Sequence, residues 1–460
     1  MIAITRASVF LAAVVPLLLV VQDPQAGNRA VSNVGRPAFS NLSRPAISGA
    51  PVVGKRLVTS KGTWSGNPTR LTYRWLRCDK TGRSCRTIDG ATARRYRLRS
   101  RDIGHRMRSR VRAWNGSRSR SARSAPTGIV TRPTLPPLHV DGNRLRNSRG
   151  QIVRLRGVNR AGTEYACIQG WGIFDGPSDG ASVRAIRSWG ANVVRVPLNE
   201  DCWLGINGVK PELAGESYRQ AIVDYVRLLQ RHHMYAELSL MWAAPGTYPA
   251  TYQSGGPDAD HAPDLWASLA STFAKDRRVI LAPWGETVVN ADCFLDGGVC
   301  EATFGPDNTP YEIAGMQRAV DVMRQAGYDG VIAIPGIDYA NDLSQWLSHK
   351  PDDPRNQLIA EAHVYGNNTC STTDCFNEHY APVADAVPLV FGETGETYDG
   401  SSCGSTNIQR LMKWADAHGV GYEAWVWDTW GNCSALIGSY DGSPYAAYGT
   451  WVRKHYRSLR

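Results

Sequence analysis

The chain has 460 residues, which is too long for one ordinary domain and long enough for a barrel of about 250 residues with a second module. Its net charge of +11 is uneven, because residues 1–150 hold 29 Lys and Arg against 5 Asp, whereas residues 151–460 hold 23 basic and 36 acidic side chains. This uneven charge predicts two separate folded units, one basic and one acidic, that are exposed to different environments. Beyond the first twenty-odd residues no apolar stretch is long enough to span a bilayer, which argues against a membrane-embedded body.

The chain begins with a stretch typical of an export signal, which we place at residues 1–26. Arg6 supplies a cation, and the uncharged apolar run 7–21 is shorter than a membrane-spanning helix. Ala26 is the candidate cleavage site, although Pro24 fits the small-residue rule badly. We expect a secreted, extracellular protein, associated with the cell surface if the signal stays uncleaved.

The ten cysteines have spacings that suit disulfide bonds, and none has the CxxC spacing of a zinc or thioredoxin site. With an export signal, disulfides are the favoured interpretation, although the spacing does not fix their connectivity. The candidate pairs are Cys78 with Cys85, Cys167 with Cys202, Cys293 with Cys300, Cys370 with Cys375, and Cys403 with Cys433.

Residues 38–133 are predicted to form a β-sandwich. Short β-rich runs such as 71–76 and 106–114 alternate with turn signals such as Gly62 and Asp89-Gly90. The segments "PAISGAPVVGKRLVTSKGTWSG", "YRWLRC" and "RDIGHRMRSRVRAWN" resemble the immunoglobulin-like modules of secreted actinobacterial proteins. The resemblance implies an immunoglobulin-like fold and says almost nothing about function.

The basic charge of this module has two interpretations. It could bind an anionic polymer, such as an acidic cell-wall glycan, pectin or nucleic acid, or a cell surface. Alternatively, it is an arginine-rich spacer that reflects the composition of the genome. The run "RRYRLRSR" on a strand would place cations on both faces, which favours a surface over a groove for a specific nucleic acid.

Residues 134–153 are predicted to connect the module to the second body. The proline-rich segment 126–137 is typical of a stiff linker. The segment "LHVDGNRLRNSRGQIVRLRG" then predicts a hairpin, with turns at Asp141-Gly142 and Ser148-Arg149-Gly150.

Residues 154–460 alternate apolar strand-like runs with amphipathic helical stretches, which predicts an α/β fold with a parallel sheet. Eight strands in about 300 residues indicate a closed (β/α)₈ TIM barrel. The predicted strands are 154–159, 192–197, 235–241, 279–284, 330–334, 358–365, 388–393 and 421–427, and the predicted helices are 181–189, 218–232, 265–274, 311–326 and 407–418.

Titratable residues at the carboxyl ends of these strands mark the expected site, because a barrel carries its chemistry there. Glu286 ends the fourth strand and Glu393 the seventh, while His363 and Tyr365 end the sixth and Arg195 lies in the second. Two facing glutamates can supply the acid/base and the nucleophile of glycoside hydrolysis. The bland alternative is a pair of structural carboxylates bound to an arginine.

The motifs "LRGVNRAG", "GANVVRVPL", "LSLMWAAPG", "WGE", "AHVY", "VFGETG" and "YEAWVW", in this order between about residues 157 and 454, resemble glycoside hydrolase family 5. The resemblance implies a retaining hydrolase of β-linked glycans that requires no cofactor or metal. It also implies roles for six residues: Glu286 as acid/base, Glu393 as nucleophile, Arg195 orienting Glu393, His363 and Tyr365 assisting, and Trp425 stacking on a sugar ring.

Three positions depart from the family pattern. Gly285 and Thr287 stand where Asn and Pro usually flank the acid/base, and Met241, followed by Trp242, replaces a His. The usual Asn binds the sugar 2-hydroxyl, so we expect a substrate other than plain cellulose. Three residues are the nearest replacements by topology: Asn159, Asn199 and Glu200.

Further residues leave alternatives open. Glu200 is expected to be a loop or subsite residue, and Glu396 to be structural. Strand alternation would place Trp425 and Trp427 on the same face. Other aromatic residues predicted near the mouth, each as easily core as subsite, are Trp171, Phe174, Trp203, Trp242 and Trp430.

We therefore expect a monomeric hydrolase of oligo- or polysaccharides, active in polysaccharide catabolism. The alternative is a barrel that kept its sugar cleft but lost catalysis and serves in carbohydrate binding or surface adhesion. Gly285 and Met241 keep this alternative open, while the retention of both glutamates with Arg195 argues against it.

Overall fold

The computed structural model describes residues 39–304 and 309–459, with the side chains of 301–304 left out. The expected export signal lies outside the described residues. The chain divides into two units, Met1–Pro133 and Thr134–Arg460. Within the described ranges, no helix has the length and apolar character that crossing a membrane requires.

The first unit consists of short antiparallel strands. A four-stranded sheet has Arg70–Cys78 and Arg106–Asn115 at its centre, and a three-stranded sheet has Arg56–Thr59 at its centre. Between them lies a core in which Trp75 stacks on Tyr96 at 5.6 Å. The immunoglobulin-like assignment remains a prediction. The other elements are Asn41–Ser43, Ile47–Ser48, Thr63–Trp64, Cys85–Thr87, Arg95–Arg97 and Arg118–Arg123, with a 3-10 turn at Ser100–Asp102.

The second unit begins with the expected hairpin. Leu138–Asp141 pairs with Arg144–Asn147, and Asp141 lies opposite Arg144 across the turn. Leu138 and Leu145 pack against residues at the amino-terminal ends of barrel strands, such as Val193 and Val331. The hairpin therefore closes the end of the barrel opposite the predicted site.

Eight parallel strands form a closed barrel, which confirms the predicted fold. Every predicted strand has its counterpart, with ends shifted by a few residues. Their side chains are almost all buried, because the interior and the surrounding helices cover both faces. In order, the strands are Arg156–Asn159, Val193–Asn199, Tyr235–Trp242, Val279–Ala282, Val331–Pro335, Leu358–Tyr365, Leu389–Gly395 and Gly421–Ala424.

Helices connect the strands, and four of the five predicted ones match closely. The first is capped by the Asp179 carboxylate, which accepts hydrogen bonds from two backbone N–H groups. The larger helices are Gly180–Trp189, Glu216–Arg231, Ala262–Thr272, Met316–Gln325, Thr406–His418 and Ala446–Ser458. Shorter ones are Glu200–Leu204, Pro211–Leu213, Ala291–Asp296, Trp346–His349, Thr373–Cys375, Phe376–Tyr380 and Ala381–Ala386.

The predicted helix over 311–326 is partly wrong. Pro310–Ala314 is a strand that pairs with Gly297–Phe304, and the helix begins only at Met316. Tyr311 and Ile313 are buried and Glu312 is exposed, so this segment follows the two-residue period of a strand.

All ten cysteines are paired, in the five pairs suggested by their spacing. The four disulfides of the second unit lie in segments that follow the carboxyl ends of barrel strands. Cys167–Cys202 links the segments after the first and second strands, and Cys403–Cys433 links those after the seventh and eighth.

Candidate active site

Glu393 lies within the seventh barrel strand and is held by two neighbours. Arg195 Nη1, from the second strand, donates to Glu393 Oε1 at 2.7 Å. Tyr365 Oη, from the sixth strand, donates to Oε2 at 2.8 Å. Both partners are buried. A carboxylate fixed by two donors and facing the barrel mouth has the orientation that a nucleophile needs.

Beneath Glu393, Arg195 lies among three fully buried glutamates from other strands. Its Nε is 3.2 Å from Glu361 Oε1 and 3.4 Å from Glu237 Oε1, and Glu423 is also close enough to act on its charge. Burial lowers the pKa of Arg195, but Glu361, Glu393 and Glu237 raise it above its ordinary value. Burial also raises the pKa of Glu237 to about 8 and that of Glu423 well above its usual range. Arg195 therefore stays charged, while burial favours the protonated forms of Glu237 and Glu423.

Glu286 faces Glu393 across the mouth. The fourth strand ends earlier than predicted, at Ala282, and Glu286 follows it by four residues. His363 Nδ1 lies 2.7 Å from Glu286 Oε1, and Gln253 Nε2 donates to Oε2 at 2.6 Å. One carboxylate oxygen of Glu286 lies within 4.8 Å of one of Glu393.

His363 and Glu286 form a charged pair. Burial alone would lower the pKa of His363, but Glu393, Glu286 and Glu361 raise it to about 10. Burial raises the pKa of Glu286, but the hydrogen bond and charge of His363 outweigh it and hold this pKa below its ordinary value. The pair therefore rests as imidazolium and carboxylate, with a proton between them.

Among the residues that the structure describes, Glu286, His363 and Glu393 could also surround a cation, since their ligand atoms lie within 4.8 Å of one another. His363 Nδ1 and Glu286 Oε1 are hydrogen-bonded to each other at 2.7 Å, and this contact suits proton transfer between these two residues.

Met241 occupies the place next to Gly285. A Cβ on Gly285 would lie 1.8 Å from Met241 Sδ and 3.2 Å from Arg195 Nη2. Met241 is almost fully buried, and its sulfur lies 3.5 Å from Arg195 Nη2. Two of the three departures from the family pattern, Gly285 and Met241, are therefore one structural unit, in which the methionine fills the space that a side chain at 285 would need.

Aromatic side chains line the segments around the mouth. Trp425 is half-buried and contacts Trp430, while Trp242 contacts Tyr165. Trp171, at 64% exposure, also contacts Tyr165. Such rings provide flat apolar faces of the kind that sugar rings contact.

One expectation about the aromatic residues is wrong, and for two others that were left open the structure favours the core over a subsite. The eighth strand ends at Ala424, so Trp427 does not share the face of Trp425 and packs against Trp189 in the core. Trp203 is fully buried, and Phe174 packs on Tyr225.

The expected substrate-binding residues Asn159 and Asn199 are fully buried and bound to protein groups. Asn159 donates to Gly392 O and accepts from Arg195. Asn199 donates to the Glu164 and Ala250 carbonyls and caps a short helix. Neither amide therefore reaches a sugar, and we withdraw both as subsite residues.

The two other glutamates singled out by position are buried in protein surroundings. Glu200 lies beside Asp258, and burial with that neighbour raises its pKa well above the ordinary value. Glu200 is therefore not a subsite residue. Glu396 accepts three backbone N–H bonds at the start of Thr406–His418, which confirms its structural role.

Sequence reasoning missed five polar residues of the site, one of which is Glu423 in the eighth strand. Glu237 and Ser239 alternate with Met241 on the third strand, as Glu361 does with His363 and Tyr365 on the sixth, so a two-residue period would have revealed them. Ser239 Oγ accepts from Arg195 Nη2 at 3.0 Å. Gln253 lies in a segment without periodicity, and no pattern singles it out.

Comparison with known proteins agrees with this architecture. Residues 147–431 match the family model described as cellulase (glycosyl hydrolase family 5). Among curated proteins, a mannan endo-1,4-β-mannosidase of Streptomyces lividans is 23% identical over 63% of this chain and 66% of its own length. A β-mannanase/endoglucanase A of Caldicellulosiruptor saccharolyticus is 21% identical over 59% of this chain but only 19% of its own length.

Solved structures with the same fold include a β-glucanase from Saccharophagus degradans in complex with cellotetraose. It has a TM-score of 0.54 and 18% identity, and the match covers 71% of this chain and 94% of that one. The catalytic domain of a Thermobifida fusca endoglucanase matches with a TM-score of 0.51 and 18% identity, over 70% of this chain and 98% of its own.

The family match defines the class of this protein as a glycosyl hydrolase, and the chain spans less than two thirds of the length of each of the two curated relatives. The chain belongs to glycoside hydrolase family 5.

Proposed function

We propose that the protein hydrolyses a β-linked glycan with retention of anomeric configuration, with Glu393 as the nucleophile and Glu286 as the acid/base. The observation that carries this proposal is the separation of the two carboxylates, which is within 4.8 Å for one pair of oxygens. Retaining enzymes hold their carboxyl groups about 5–5.5 Å apart, whereas inverting enzymes leave about 6.5–9.5 Å for a water.

In the first step, Glu393 attacks the anomeric carbon and forms the glycosyl ester, while Glu286 gives a proton to the departing oxygen. That proton comes from His363 Nδ1 across the 2.7 Å hydrogen bond. Glu393 is the main charge that keeps His363 protonated. As the ester forms, this charge disappears, the pKa of His363 falls, and the proton moves toward Glu286.

In the second step, a water takes the place of the departed group, and Glu286 accepts its proton as the oxygen attacks the anomeric carbon. The ester bond breaks, and Glu393 regains its negative charge beside Arg195 and Tyr365. His363 then becomes the more basic partner again and recovers the proton from Glu286. The cycle consumes one water, and every group returns to its starting state.

The substrate is proposed to be a β-glycan other than plain cellulose, with β-mannan as the first candidate. Met241 and Gly285 present a thioether and a backbone, instead of an amide, beside the acid/base. Mannose carries its 2-hydroxyl axially, so it does not need the donor that an equatorial 2-hydroxyl would use. Both curated relatives are named for action on mannan, one as a mannan endo-1,4-β-mannosidase and the other as a β-mannanase/endoglucanase A.

The test is a comparison of β-mannan, glucomannan, mixed-linkage β-glucan and carboxymethyl-cellulose, with the anomer of the first product followed by NMR. Glu393→Gln serves as the background control. We expect turnover with initial retention, and slow or no cleavage of carboxymethyl-cellulose. Initial inversion would overturn the mechanism, and cellulose cleavage at ordinary rates would overturn the substrate. Tight glycan binding without turnover would favour a sugar-binding protein.

We further infer that the protein acts outside the cell. Five disulfides are typical of an oxidising compartment. Fractionation of the source cells tests this inference, because a protein confined to the reducing cytoplasm with titratable free thiols would contradict it.

A further inference from the structure

One face of the four-stranded sheet in the first unit is lined with arginines, and we name it the arginine face. The opposite face of the same strands places Trp75, Met107 and Val111 in the core. Side chains alternate along a strand, so the residues between these point outward. The arginine face consists of Arg70, Arg74, Arg106, Arg108, Arg110, Arg112 and Arg123.

Three of these arginines form a row across three neighbouring strands. Arg74 lies directly opposite Arg110, and Arg110 directly opposite Arg123. Adjacent strands are about 4.7–4.9 Å apart, and like charges placed opposite each other destabilise a sheet. Within the described part of this unit, the ion pair that forms is Arg77 with Asp102, and it involves none of the seven.

Other members of the arginine face are held in place by neutral groups. Arg108 donates to the Gly82 and Ser124 carbonyls. The guanidinium groups of Arg70 and Arg112 lie over the Trp114 ring, at 4.1 and 5.0 Å from its centre. These contacts fix the side chains without neutralising their charge, which lowers the entropy cost of binding an anion.

Arginine-rich composition of the whole chain does not account for this face. Residues 39–133 contain 23 Lys and Arg, only 3 Asp and no Glu, whereas residues 151–460 of the same chain contain 36 acidic and 23 basic side chains. A general bias toward arginine would act on both units. The arginines that lie opposite each other destabilise the sheet, and a sequence that keeps such an unfavourable arrangement in one place indicates a function of that place.

We propose that the arginine face binds an anionic polysaccharide and so holds the enzyme on an acidic glycan matrix. Each guanidinium group can form two parallel hydrogen bonds with one carboxylate. The distance between arginines on neighbouring strands is also comparable with the distance between carboxylates in a polysaccharide that carries one carboxylate on each sugar. The arginine face is one surface of a four-stranded sheet, whereas the DNA major groove admits a helix or a two-stranded ribbon, and Trp114 already stacks on Arg70 and Arg112.

The experiment compares full-length wild type with the triple variant Arg74→Gln, Arg110→Gln and Arg123→Gln. Binding to polygalacturonate is measured from 20 to 300 mM salt by affinity electrophoresis, with neutral glucomannan and duplex DNA as parallel ligands. We expect wild type to bind polygalacturonate, with affinity falling steeply as salt rises. The triple variant should bind at least about tenfold more weakly, with a salt slope smaller by about two.

The matched control removes the same charge elsewhere in the unit, by substituting Gln at Arg83, Arg95 and Arg101, which are exposed residues outside the arginine face. It should retain most of the affinity and the slope. Near-UV circular dichroism and the thermal unfolding curve should be the same in all three proteins, which shows that the first unit is folded, and hydrolysis of a small aryl glycoside should be equal, which shows that the second unit is intact. Equal weakening in both variants, tighter binding to DNA than to polygalacturonate, no binding at low salt, or salt-dependent self-association instead would each overturn the proposal.

Discussion

The unit formed by Met241 and Gly285 allows a specific test of how the mouth is packed. In Gly285→Ala, the added Cβ would lie 1.8 Å from Met241 Sδ, where carbon–sulfur contact needs roughly twice that distance. Gly285 has no positive φ, so the backbone itself accepts alanine. Met241 must therefore move, and overpacking of this kind costs about 1–3 kcal/mol.

The displacement should affect activity more than stability. Met241 Sδ touches Arg195 Nη2, and Arg195 holds Glu393, so a shift of the thioether is passed to the nucleophile. A misplacement of about 1 Å can cost about 10²-fold in rate. We expect kcat/KM of Gly285→Ala to fall by about that factor, with a loss of only a few degrees in Tm.

A second substitution should reverse the effect. Met241→Ala removes the clashing sulfur, so the double variant should be more active than Gly285→Ala alone and less destabilised than the sum of the two single variants, with a coupling of about 0.5–3 kcal/mol. Gly438→Ala is the matched control, because its Cβ would make only an ordinary contact with Tyr445, at 3.7 Å. Wild-type behaviour of Gly285→Ala, or no recovery in the double variant, would refute this account.

Three further predictions concern the charged groups. Glu393→Gln should abolish turnover with little change in Tm, whereas Glu286→Ala should be partly rescued by azide on an aryl glycoside with a good leaving group; a glycosyl azide of inverted configuration would contradict these roles. Tyr365→Phe removes the 2.8 Å bond to Glu393 and should lower kcat/KM by about 10- to 10²-fold, and an unchanged value would show that the hydroxyl does not orient the nucleophile. Burial raises the pKa of Glu237 to about 8, so the folded state keeps a proton that the unfolded state loses, and stability should fall as pH rises from about 4.5 to 8. Glu237→Gln should flatten this dependence in urea titrations, and an equal slope in both proteins would count against it.

The barrel was predictable because strand-like apolar runs and helical periodicity both survive in the sequence. Glu286, Glu393, Arg195, His363 and Tyr365 could be named from their positions at strand ends, and the structure brings them together. Features that arise from contacts between distant segments of the chain could not be predicted from the sequence. The contact between Met241 and Gly285 is one of them.

The sequence also could not show which polar side chains are buried and already hydrogen-bonded to other parts of the protein. Asn159 and Asn199 follow the expected topology, yet their amides are used by backbone groups that no local pattern reveals. The turn that separates Trp425 from Trp427 lies beyond the end of a strand, where alternation no longer applies. The prediction of short elements such as the strand Pro310–Ala314 is wrong for a related reason. A strand of a few residues shows so little two-residue alternation that it is easily taken for the first turn of the helix that follows.

In the second unit, the disulfides stabilise the segments around the barrel mouth and do not cross-link the strands of the barrel itself. The four bonds all lie in segments beyond the carboxyl ends of the strands, around Glu286 and Glu393, while the wall of the barrel depends on backbone pairing and apolar packing. The shape of the cleft is thus maintained covalently and the scaffold noncovalently. Reducing agents should therefore loosen the entrance and impair glycan recognition while the barrel stays folded, so that loss of activity precedes unfolding.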